Sequence, residues 1–515
     1  MAVMIPTEHG TRPLVEPADE FNQQLLANVH PPDWVDPEPK SRYHLVVIGA
    51  GTAGLVTAAI AAGLGARVAL IERHLMGGDC LNVGCVPSKG IIGAARAWQA
   101  AADARGTVGG PRIAGAGSFP EVMARMRRIR AGLSRIDSAS RFRGLGVDVF
   151  LGSGRFTGPD AVQVNGRTLR FRRAVIATGA RAAVPRIPGL ERAGYRTNET
   201  VFALTESPEH LVVLGAGPIG CELAQAFARL GVRVTLVVKD ARILSREDVD
   251  AARVVERAME RHGVRILRQA EAVGVELRDG RRVVAVEHGG SKEELVGDEL
   301  LVATGRAPNV EDLGLEEGGV RYDRGGVLVD DRLRTSNPRV YAVGDISSRH
   351  KFTHAADAQA RLVIGNALFF GIGGGRVSRL VMPWVTYTSP EVAHVGLGER
   401  EAAEAGHDVH TITVPLEDVD RAVLDGQEEG FLRVRLRKGG DRILGATLVA
   451  EHAGEMIGEL TVAMVNRLGL TRVGSAIHPY PTQAEVFRKA ADAYRRARLT
   501  PRTKQAFAAY FSIFR

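Results

Sequence analysis

Residues 44–54 read His-Leu-Val-Val-Ile-Gly-Ala-Gly-Thr-Ala-Gly, a short apolar run that leads into a Gly-x-Gly-x-x-Gly turn. A helical stretch follows, and residues 67–72, Arg-Val-Ala-Leu-Ile-Glu, supply a second strand, so the region predicts a βαβ unit. Gly49, Gly51 and Gly54 let the backbone come close to a pyrophosphate, for which the helix start offers free N–H groups and a positive dipole end. The segment therefore predicts a dinucleotide-binding site.

The same arrangement recurs between residues 210 and 238. A strand-like run at 210–214 leads into Gly215, Gly217 and Gly220, and a second run lies at 233–238 after a helical stretch. One such fingerprint is a weak indication. Two of them, each between a predicted strand and a helix, favour two bound nucleotides.

The composition agrees with an α/β chain. The 515 residues allow about three or four domains at roughly 150 residues each. Sixty glycines and an aromatic content of 5% suit many tight strand-to-helix turns. The formal net charge of +8 suits a phosphate-rich cofactor, and without a nucleic-acid-binding motif no nucleic-acid partner is expected. No signal peptide and no apolar run of the ~18 residues needed to span a bilayer are found, so a cytoplasmic location is expected.

Cysteine occurs at only three positions, and two of them are close together. Cys80 and Cys85 bracket four residues at the start of a predicted helix, where the dipole and free N–H groups favour thiolate over thiol. A structural zinc site would need two more ligands, and no nearby His or Cys supplies them. The pair therefore predicts redox chemistry between dithiol and disulfide. Cys221 is interpreted as a small packing residue.

These motifs closely resemble the class I pyridine nucleotide–disulfide oxidoreductases, the group of glutathione reductase, dihydrolipoamide dehydrogenase and mercuric reductase. The resemblance runs from about residue 43 to 490 and rests on the Gly-Gly-Asp-Cys-Leu-Asn-Val-Gly-Cys-Val-Pro-Ser-Lys segment at 77–89, with further motifs at 301–309 and 340–345. It implies an α/β fold with two Rossmann-like dinucleotide-binding domains, for FAD and NAD(P)H, and a C-terminal α+β dimerisation domain. The expected parts are an N-terminal arm at 1–42, an FAD-binding domain at 43–185 and 306–378, an NAD(P)H-binding domain at 186–305, an interface domain at 379–490 and a basic helical tail at 491–515.

The resemblance also assigns roles to single residues. Glu72 would bind the adenosine ribose, the backbone around Gly154 would meet the adenine, and Asp345 would bind the ribityl or pyrophosphate part. Lys89 would lie beside the flavin, and Glu222 near the contact of flavin and nicotinamide. Further cofactor-binding positions are expected at Thr178, Gly179, Gly305 and Thr353.

The mechanism implied by the resemblance moves electrons through the cysteine pair. Hydride passes from the nicotinamide to the flavin, and electrons then pass to the Cys80–Cys85 disulfide. Cys85 would lie against the flavin, and Cys80 would be exposed to substrate and perform the exchange.

The choice of nicotinamide cofactor depends on the end of the second strand of the second fingerprint. An NAD site usually has an acidic residue there, whereas Lys239 and Arg242 could bind a 2′-phosphate. NADPH is therefore expected. Asp240, between these two cations, keeps NADH open.

The C-terminal segment at 477–485, Ile-His-Pro-Tyr-Pro-Thr-Gln-Ala-Glu, indicates the branch of the family. Aligned on the Pro-Thr pair and Glu485, Tyr480 stands where disulfide reductases have a catalytic His, and a tyrosine there resembles mercuric reductase. His478 is either a displaced base or a structural His. No structural metal is expected, but Cys80 and Cys85 could hold Hg(II) transiently. The sequence departs from mercuric reductases in having neither an N-terminal metal-binding domain nor a C-terminal cysteine pair.

Three functions stay open at this stage. The favoured one is an NADPH-dependent reductase acting on Hg(II) or another thiol-reactive acceptor. The second is a disulfide reductase or dihydrolipoamide dehydrogenase, and the third is a flavin redox sensor or electron donor. A homodimer is expected, with the active site shared between subunits, and the tail is expected to pack on the dimer rather than touch a membrane.

Overall fold

The structure, a computed structural model, describes residues 3–7, 10–111, 117–369, 371–372 and 374–513, and side chains from residue 14 onward. The chain divides into two compact units. The first comprises 1–105, 111–239 and 265–379, and the second comprises 106–110, 240–264 and 380–515. The finer domain boundaries expected from the sequence stay predictions.

A mixed sheet carries the first fingerprint. Its strands follow the order Val147–Leu151, Val68–Glu72, Tyr43–Ile48, Arg167–Ile176, Ala161–Val164 and Arg155–Gly158, and Val340–Ala342 pairs with Arg167–Ile176. Tyr43–Ile48 runs parallel to both neighbours and is almost fully buried, which is why its sequence is continuously apolar rather than alternating. The helix Thr52–Gly63 begins directly after the glycine turn.

A second sheet repeats this pattern at the second fingerprint. Its strands follow the order Val264–Leu267, Arg233–Val237, His210–Leu214 and Glu299–Val302, and the helix Pro218–Arg229 follows the turn. An antiparallel sheet of Ala270–Arg278, Arg281–His288 and Ser291–Gly297 adjoins it in the chain. Shorter pairs are Ala180–Ala182 with Arg306–Pro308, and Tyr322–Asp323 with Gly326–Val327.

The remaining helices of the first unit connect these sheets. They are Gly78–Asn82, Cys85–Val108 (whose last residues pass into the second unit), Phe119–Leu133, Ala139–Gly144, Leu190–Ala193 and Thr353–Leu368, with 3-10 turns at Ser134–Asp137, Val201–Ala203, Gly344–Ile346 and Val377–Arg379.

The N-terminal arm is more ordered than its Pro-rich sequence indicates. Strands Val3–Thr7 and Gly10–Leu14 form an antiparallel hairpin, and Glu20–Val29 is a helix rather than part of an irregular arm. The carboxylate of Asp19 accepts a hydrogen bond from the backbone N–H of Asn22 at 2.8 Å and so caps the helix. Leu25 and Val29, one turn apart, are fully buried in the core of the first unit. Tertiary burial therefore stabilises a helix that is too short to persist alone.

The second unit contains a five-stranded antiparallel sheet. Its strands follow the order Pro383–Thr386, Glu391–Gly396, Ile443–Ala450, Phe431–Arg437 and Val409–Pro415. The helices of this unit are Val249–Arg261, Glu399–Glu404, Asp420–Leu424, Ala453–Val465, Leu470–Val473, Glu485–Ala497 and Pro501–Ser512, with a 3-10 turn at Leu416–Asp418. The expected tail is thus two helices, and residues 514–515 lie outside the described residues. Within the described chain, no helix has the length and apolar character needed to cross a membrane.

Candidate active site

The two glycine turns have nearly the same geometry. Gly49 has a φ of +100° and Gly215 a φ of +104°, both in the region that only glycine adopts easily. A Cβ at Gly49 would lie 2.4 Å from the carbonyl oxygen of Ala177, and a Cβ at Gly215 would lie 2.6 Å from that of Ala303. The absence of a side chain at the first glycine therefore allows the end of its strand to contact a neighbouring Ala-Thr-Gly segment closely.

The third glycine of each turn is required by the packing of the helix onto the turn. A Cβ at Gly54 would lie 1.8 Å from the carbonyl oxygen of Gly49, and a Cβ at Gly220 would lie 2.0 Å from that of Gly215. Any larger residue at either position would push the helix start away from the strand.

The middle glycines open the helix starts to a ligand. Gly51 and Gly217 are the N-cap residues of their helices, and neither helix has a side-chain cap. The nearest atom to a Cβ at Gly51 is 3.7 Å away, and nothing lies within 4 Å of one at Gly217. Uncapped N–H groups beside open space fit the pyrophosphates of two dinucleotides.

Glu72 is fixed against the first turn. Its side chain is buried, with one carboxylate oxygen 2.7 Å from the backbone nitrogen of Ala50 and the other 2.8 Å from that of His74. Burial raises the pKa of Glu72, and the two backbone N–H groups oppose that effect. Each oxygen keeps a lone pair, so the carboxylate fits the ribose hydroxyls expected there.

The other expected cofactor positions lie at strand ends of the first unit. Thr178 donates its hydroxyl proton to the carbonyl of Asn309 at 2.9 Å, so this side chain ties two loops together. Gly179 and Gly305 have φ values of +67° and +149°. A Cβ at Gly154 would lie 3.1 Å from the side chain of Ile71.

Cys80 and Cys85 are free thiols, and the two sulfurs are hydrogen-bonded to each other. The hydrogen bond with Cys80 lowers the pKa of Cys85 from 9.0 to about 6, helped by Thr353 and Lys89 against the effect of burial. The same hydrogen bond, together with burial, raises the pKa of Cys80. The pair is therefore asymmetric, with Cys85 as thiolate and Cys80 as thiol.

Two more predicted residues surround the thiolate. The Thr353 hydroxyl lies 3.3 Å from the Cys85 sulfur, at the first residue of the helix Thr353–Leu368. The Lys89 ammonium is 2.8 Å from a carboxylate oxygen of Glu222, whose side chain is buried. This ion pair connects the cysteine helix with the helix of the second fingerprint. The cofactor roles expected for both residues stay predictions.

We expect the alkylation rate of Cys85 in reduced, FAD-free protein to follow a titration with a midpoint near pH 6. The reason is that only the thiolate reacts, and its fraction falls about tenfold between pH 7 and pH 5 for such a pKa. Iodoacetamide labelling with mass-spectrometric assignment of the modified residue measures this rate. Lys89→Met removes a nearby cation and should move the midpoint upward. A midpoint at or above pH 8 for the unaltered protein would contradict the asymmetry.

Arg306 lies at the site, although its sequence motif predicts no role for it. Its guanidinium forms an ion pair with Asp79, the residue before Cys80, and donates to the carbonyl of Ala180 at 2.7 Å. Asp345, predicted to bind the cofactor, lies 3.9 Å away, and burial raises its pKa. Arg306 belongs to the Thr-Gly-Arg-Ala-Pro stretch of the motif at 301–309. Its contact with Asp79 could not be predicted, because the two residues are 227 positions apart.

A buried arginine supports the turn between the cysteines from the other side. Arg130 donates to the carbonyl of Asn82 at 2.7 Å and to the side-chain oxygen of Asn22 at 2.6 Å. Burial lowers the pKa of Arg130 to about 10, so it stays charged at neutral pH. The arm helix is thereby tied to the redox segment.

The two cations expected at the 2′-phosphate each have partners in the structure. The Lys239 ammonium is 2.6 Å from a carboxylate oxygen of Glu271, and both side chains are exposed. Arg242 donates to the carbonyls of Ser245 at 2.7 Å and Glu247 at 2.8 Å. An exposed ion pair contributes little, so Lys239 stays available to a phosphate, whereas Arg242 stabilises its own loop.

The two candidate side chains of the C-terminal segment, Tyr480 and His478, lie in different environments. Tyr480 is 70% exposed and donates to the carboxylate of Asp420 at 2.9 Å, a hydrogen bond that raises the pKa of the tyrosine. The His478 side chain is only 7% exposed and lies 3.0 Å from Glu459. Glu485 is buried and pairs with Arg488.

Cys221 takes no part in the cysteine pair. It is fully buried, and its thiol donates to the carbonyl of Ala216 at 3.4 Å. This burial agrees with the packing role expected for Cys221.

Comparison with known families agrees with this geometry. Residues 43–360 match the family model described as pyridine nucleotide-disulphide oxidoreductase, and residues 382–491 match the dimerisation domain of that family. The chain belongs to the pyridine nucleotide–disulphide oxidoreductases. The predicted α/β fold with FAD, NAD(P)H and dimerisation domains is confirmed, and the protein is an FAD-dependent NAD(P)H oxidoreductase of the disulfide type.

Individual relatives of this family cover most of the chain. Mercuric reductase of Streptomyces lividans is 35% identical over 460 residues, 88% of this chain and 96% of the relative. Dihydrolipoyl dehydrogenase of Thermus scotoductus is 35% identical over 465 residues, 88% of this chain and 97% of the relative. Among solved structures, the HOCl-induced flavoprotein disulfide reductase RclA from Escherichia coli matches with a TM-score of 0.77 at 28% identity, covering 87% of this chain and 99% of that one. LpdA from Mycobacterium tuberculosis matches with a TM-score of 0.78 at 28% identity, covering 88% of this chain and 100% of that one.

Proposed function

We propose that this oxidoreductase is a homodimer that uses NADPH to reduce Hg(II) or a similar thiol-reactive acceptor at Cys80. The observation that carries the proposal is the contrast in the C-terminal segment between Tyr480, which is 70% exposed, and His478, whose side chain is only 7% exposed. The match of residues 382–491 to a dimerisation domain supports the dimer. Several relatives named mercuric reductase support the acceptor.

One group of residues binds the cofactors, and another sets the protonation of the two cysteines. The two glycine turns hold pyrophosphates, and the Glu72 carboxylate orients a ribose. FAD, when bound, supplies two-electron transfer between the nicotinamide and the cysteine pair. The hydrogen bond with Cys80, helped by Thr353 and Lys89, holds Cys85 as thiolate, and Cys80 keeps its proton until an acceptor arrives. In each cycle NADPH gives up two electrons and becomes NADP⁺ with release of a proton, while Hg(II) becomes Hg(0).

The chemistry of Tyr480 suits a soft metal ion better than a disulfide. Reduction of a disulfide releases a thiolate that a general acid protonates, a role suited to His. The hydrogen bond to Asp420 raises the pKa of Tyr480, so its phenol stays neutral and is a poor base. Hg(II) needs thiolate ligands and an oriented neighbour rather than a proton donor. The partner subunit's Tyr480 would supply that neighbour at the proposed shared site.

A second candidate is a disulfide reductase or dihydrolipoamide dehydrogenase. The pair of His478 and Glu459, 3.0 Å apart, is the observation that favours it, because a carboxylate beside an imidazole is a common base arrangement. A relative named dihydrolipoyl dehydrogenase and a structural neighbour named disulfide reductase are consistent with it.

Tyr480→Phe should lower Hg(II)-dependent NADPH oxidation roughly 10–100-fold, the usual effect of losing a supporting contact at a metal. His478→Gln is the matched variant and should change this rate less than about threefold, because His478 is buried and paired. The assay uses FAD-loaded enzyme, NADPH or NADH, and Hg(II) with excess small thiol.

The reverse pattern would replace the first candidate with the second. Absence of Hg(II)-dependent oxidation, turnover on a panel of disulfides, and loss of that turnover in His478→Gln would together establish a disulfide reductase. A higher kcat/KM for NADH than for NADPH would overturn the cofactor assignment alone.

A further inference from the structure

A basic pocket lies on the first unit, away from both glycine turns. It has a volume of about 550 Å³, within the usual range of small-molecule sites. Its lining consists of Arg42, Tyr43, His44, Arg67, Arg172, Arg173, Pro338 and Arg339. Five of these eight residues are arginines, so the lining is neither apolar nor charge-balanced.

The sheet topology explains why the arginines converge. Arg42 and Arg67 each directly precede a strand, Arg339 precedes the strand Val340–Ala342, and the parallel register brings Arg173 opposite Leu45. All of them lie at the edge where the parallel strands begin. The first glycine turn lies where the strand Tyr43–Ile48 ends, about 17 Å away for five residues at about 3.3 Å each. The second glycine turn follows a strand of another sheet. The pocket is therefore separate from the cofactor sites.

Most of these guanidinium groups have no carboxylate partner. Among the residues that the structure describes, Arg67, Arg172 and Arg339 form no ion pair, and all three are exposed. Arg42 is 3.8 Å from Asp160 at the margin and donates to the carbonyl of Phe171. Like charges held together destabilise a fold unless an anion offsets them.

Two details give the pocket directed donors. The buried Nε of Arg173 has no hydrogen-bond partner within the described chain, while its Nη1 donates to a backbone carbonyl. The Nδ1 of His44 accepts from the backbone N–H of Arg67 at 2.9 Å, which places the imidazole proton on Nε2. Guanidinium forks and an imidazole N–H match phosphate oxygens, which accept paired hydrogen bonds.

We propose that this pocket binds a small anion with two or more phosphate groups, as a site distinct from the FAD and NAD(P)H sites. The five guanidinium groups of the lining carry more positive charge than a single phosphate group neutralises. A free polyphosphate and the phosphates of a nucleotide share this chemistry, so both serve as probes.

The test uses FAD-loaded enzyme saturated with NADP⁺, so that both fingerprints are filled. Inorganic pyrophosphate, tripolyphosphate and ATP are titrated by calorimetry at low and at physiological salt. We expect one site per chain, weaker binding at the higher salt, and about a tenfold or larger loss of affinity in the triple variant R67Q/R172Q/R339Q. Preference for ATP over tripolyphosphate would assign the ligand as a nucleotide, and equal affinity would assign it as free polyphosphate.

A matched triple variant, R105Q/R128Q/R192Q, removes the same charge from exposed positions outside the pocket. It should keep full affinity, and both triples should retain FAD and the basal rate of NADPH oxidation. Equal weakening by the two triples would show that only net charge matters and would overturn the site. So would an absence of saturable binding, or tighter binding of single-stranded RNA or of anionic vesicles. Arg172→Glu alone, which should also weaken binding by about tenfold or more, repeats the test if the triple variant loses FAD.

Discussion

Replacing Cys80 by serine should lower steady-state reduction of any acceptor by at least about a thousandfold while the first oxidation of NADPH persists. Serine cannot form a disulfide with Cys85, so electrons taken from NADPH would stop at the flavin and could not leave through exchange. Its hydroxyl can still donate to the Cys85 sulfur, so the thiolate should survive the substitution. The variant therefore removes thiol exchange at Cys80 without removing the thiolate of Cys85.

Stopped-flow absorbance of the nicotinamide, followed by steady-state assays with Hg(II) and disulfides, measures both phases. Cys221→Ser is the matched control, because Cys221 is buried, donates to the carbonyl of Ala216 and is not one of the two paired cysteines. Its turnover should stay within about twofold of the unaltered enzyme for protein that folds. Steady turnover in Cys80→Ser would mean that the acceptor takes electrons without using the cysteine pair.

Gly220→Ala should lower kcat/KM for NADPH about a hundredfold while the protein still carries FAD. The added Cβ would lie 2.0 Å from the carbonyl oxygen of Gly215, so the helix start must move by about 1 Å or more relative to its strand. A displacement of that size at a phosphate site costs about a hundredfold in kcat/KM. The measurements are the FAD content of purified protein and kcat/KM for NADPH.

Two companion variants make the Gly220 result specific. Gly54→Ala has the same clash, 1.8 Å from the carbonyl oxygen of Gly49, and should lose FAD instead. Gly63→Ala lies at the end of the helix Thr52–Gly63 with nothing within 4 Å of the new Cβ, and should be neutral. Loss of FAD in Gly220→Ala, or normal NADPH kinetics, would contradict the assignment of the second fingerprint.

Local sequence carries most of the fold because the glycine fingerprints are short and sterically strict. Each turn needs glycine for reasons confined to a few neighbouring residues, so two of them predict two dinucleotide-binding folds. The cysteine pair is equally local. Contacts such as Cys85 with Thr353, 268 residues apart, and Arg306 with Asp79 depend on how distant loops meet, and no pattern within a window reveals them.

Sequence spacing could not distinguish the two readings of His478. The alignment left it as either a displaced base or a structural residue, and burial beside Glu459 is a property of the packed unit. The arm helix Glu20–Val29 was hidden for a related reason. Its flanking prolines suggest irregular chain, whereas its stability comes from a core contributed by later residues.

The link from Asn22 through Arg130 to the cysteine turn has a consequence for how the chain is made. The two side chains are 108 residues apart, so a ribosome adding about ten residues per second completes the arm helix about ten seconds before its anchor exists. During that interval the core that buries Leu25 and Val29 is incomplete, because it also includes side chains from residues 139–149, 175–177 and 333–367. The nascent arm is then a natural client for chaperones, and slow translation between the two residues would prolong its exposure.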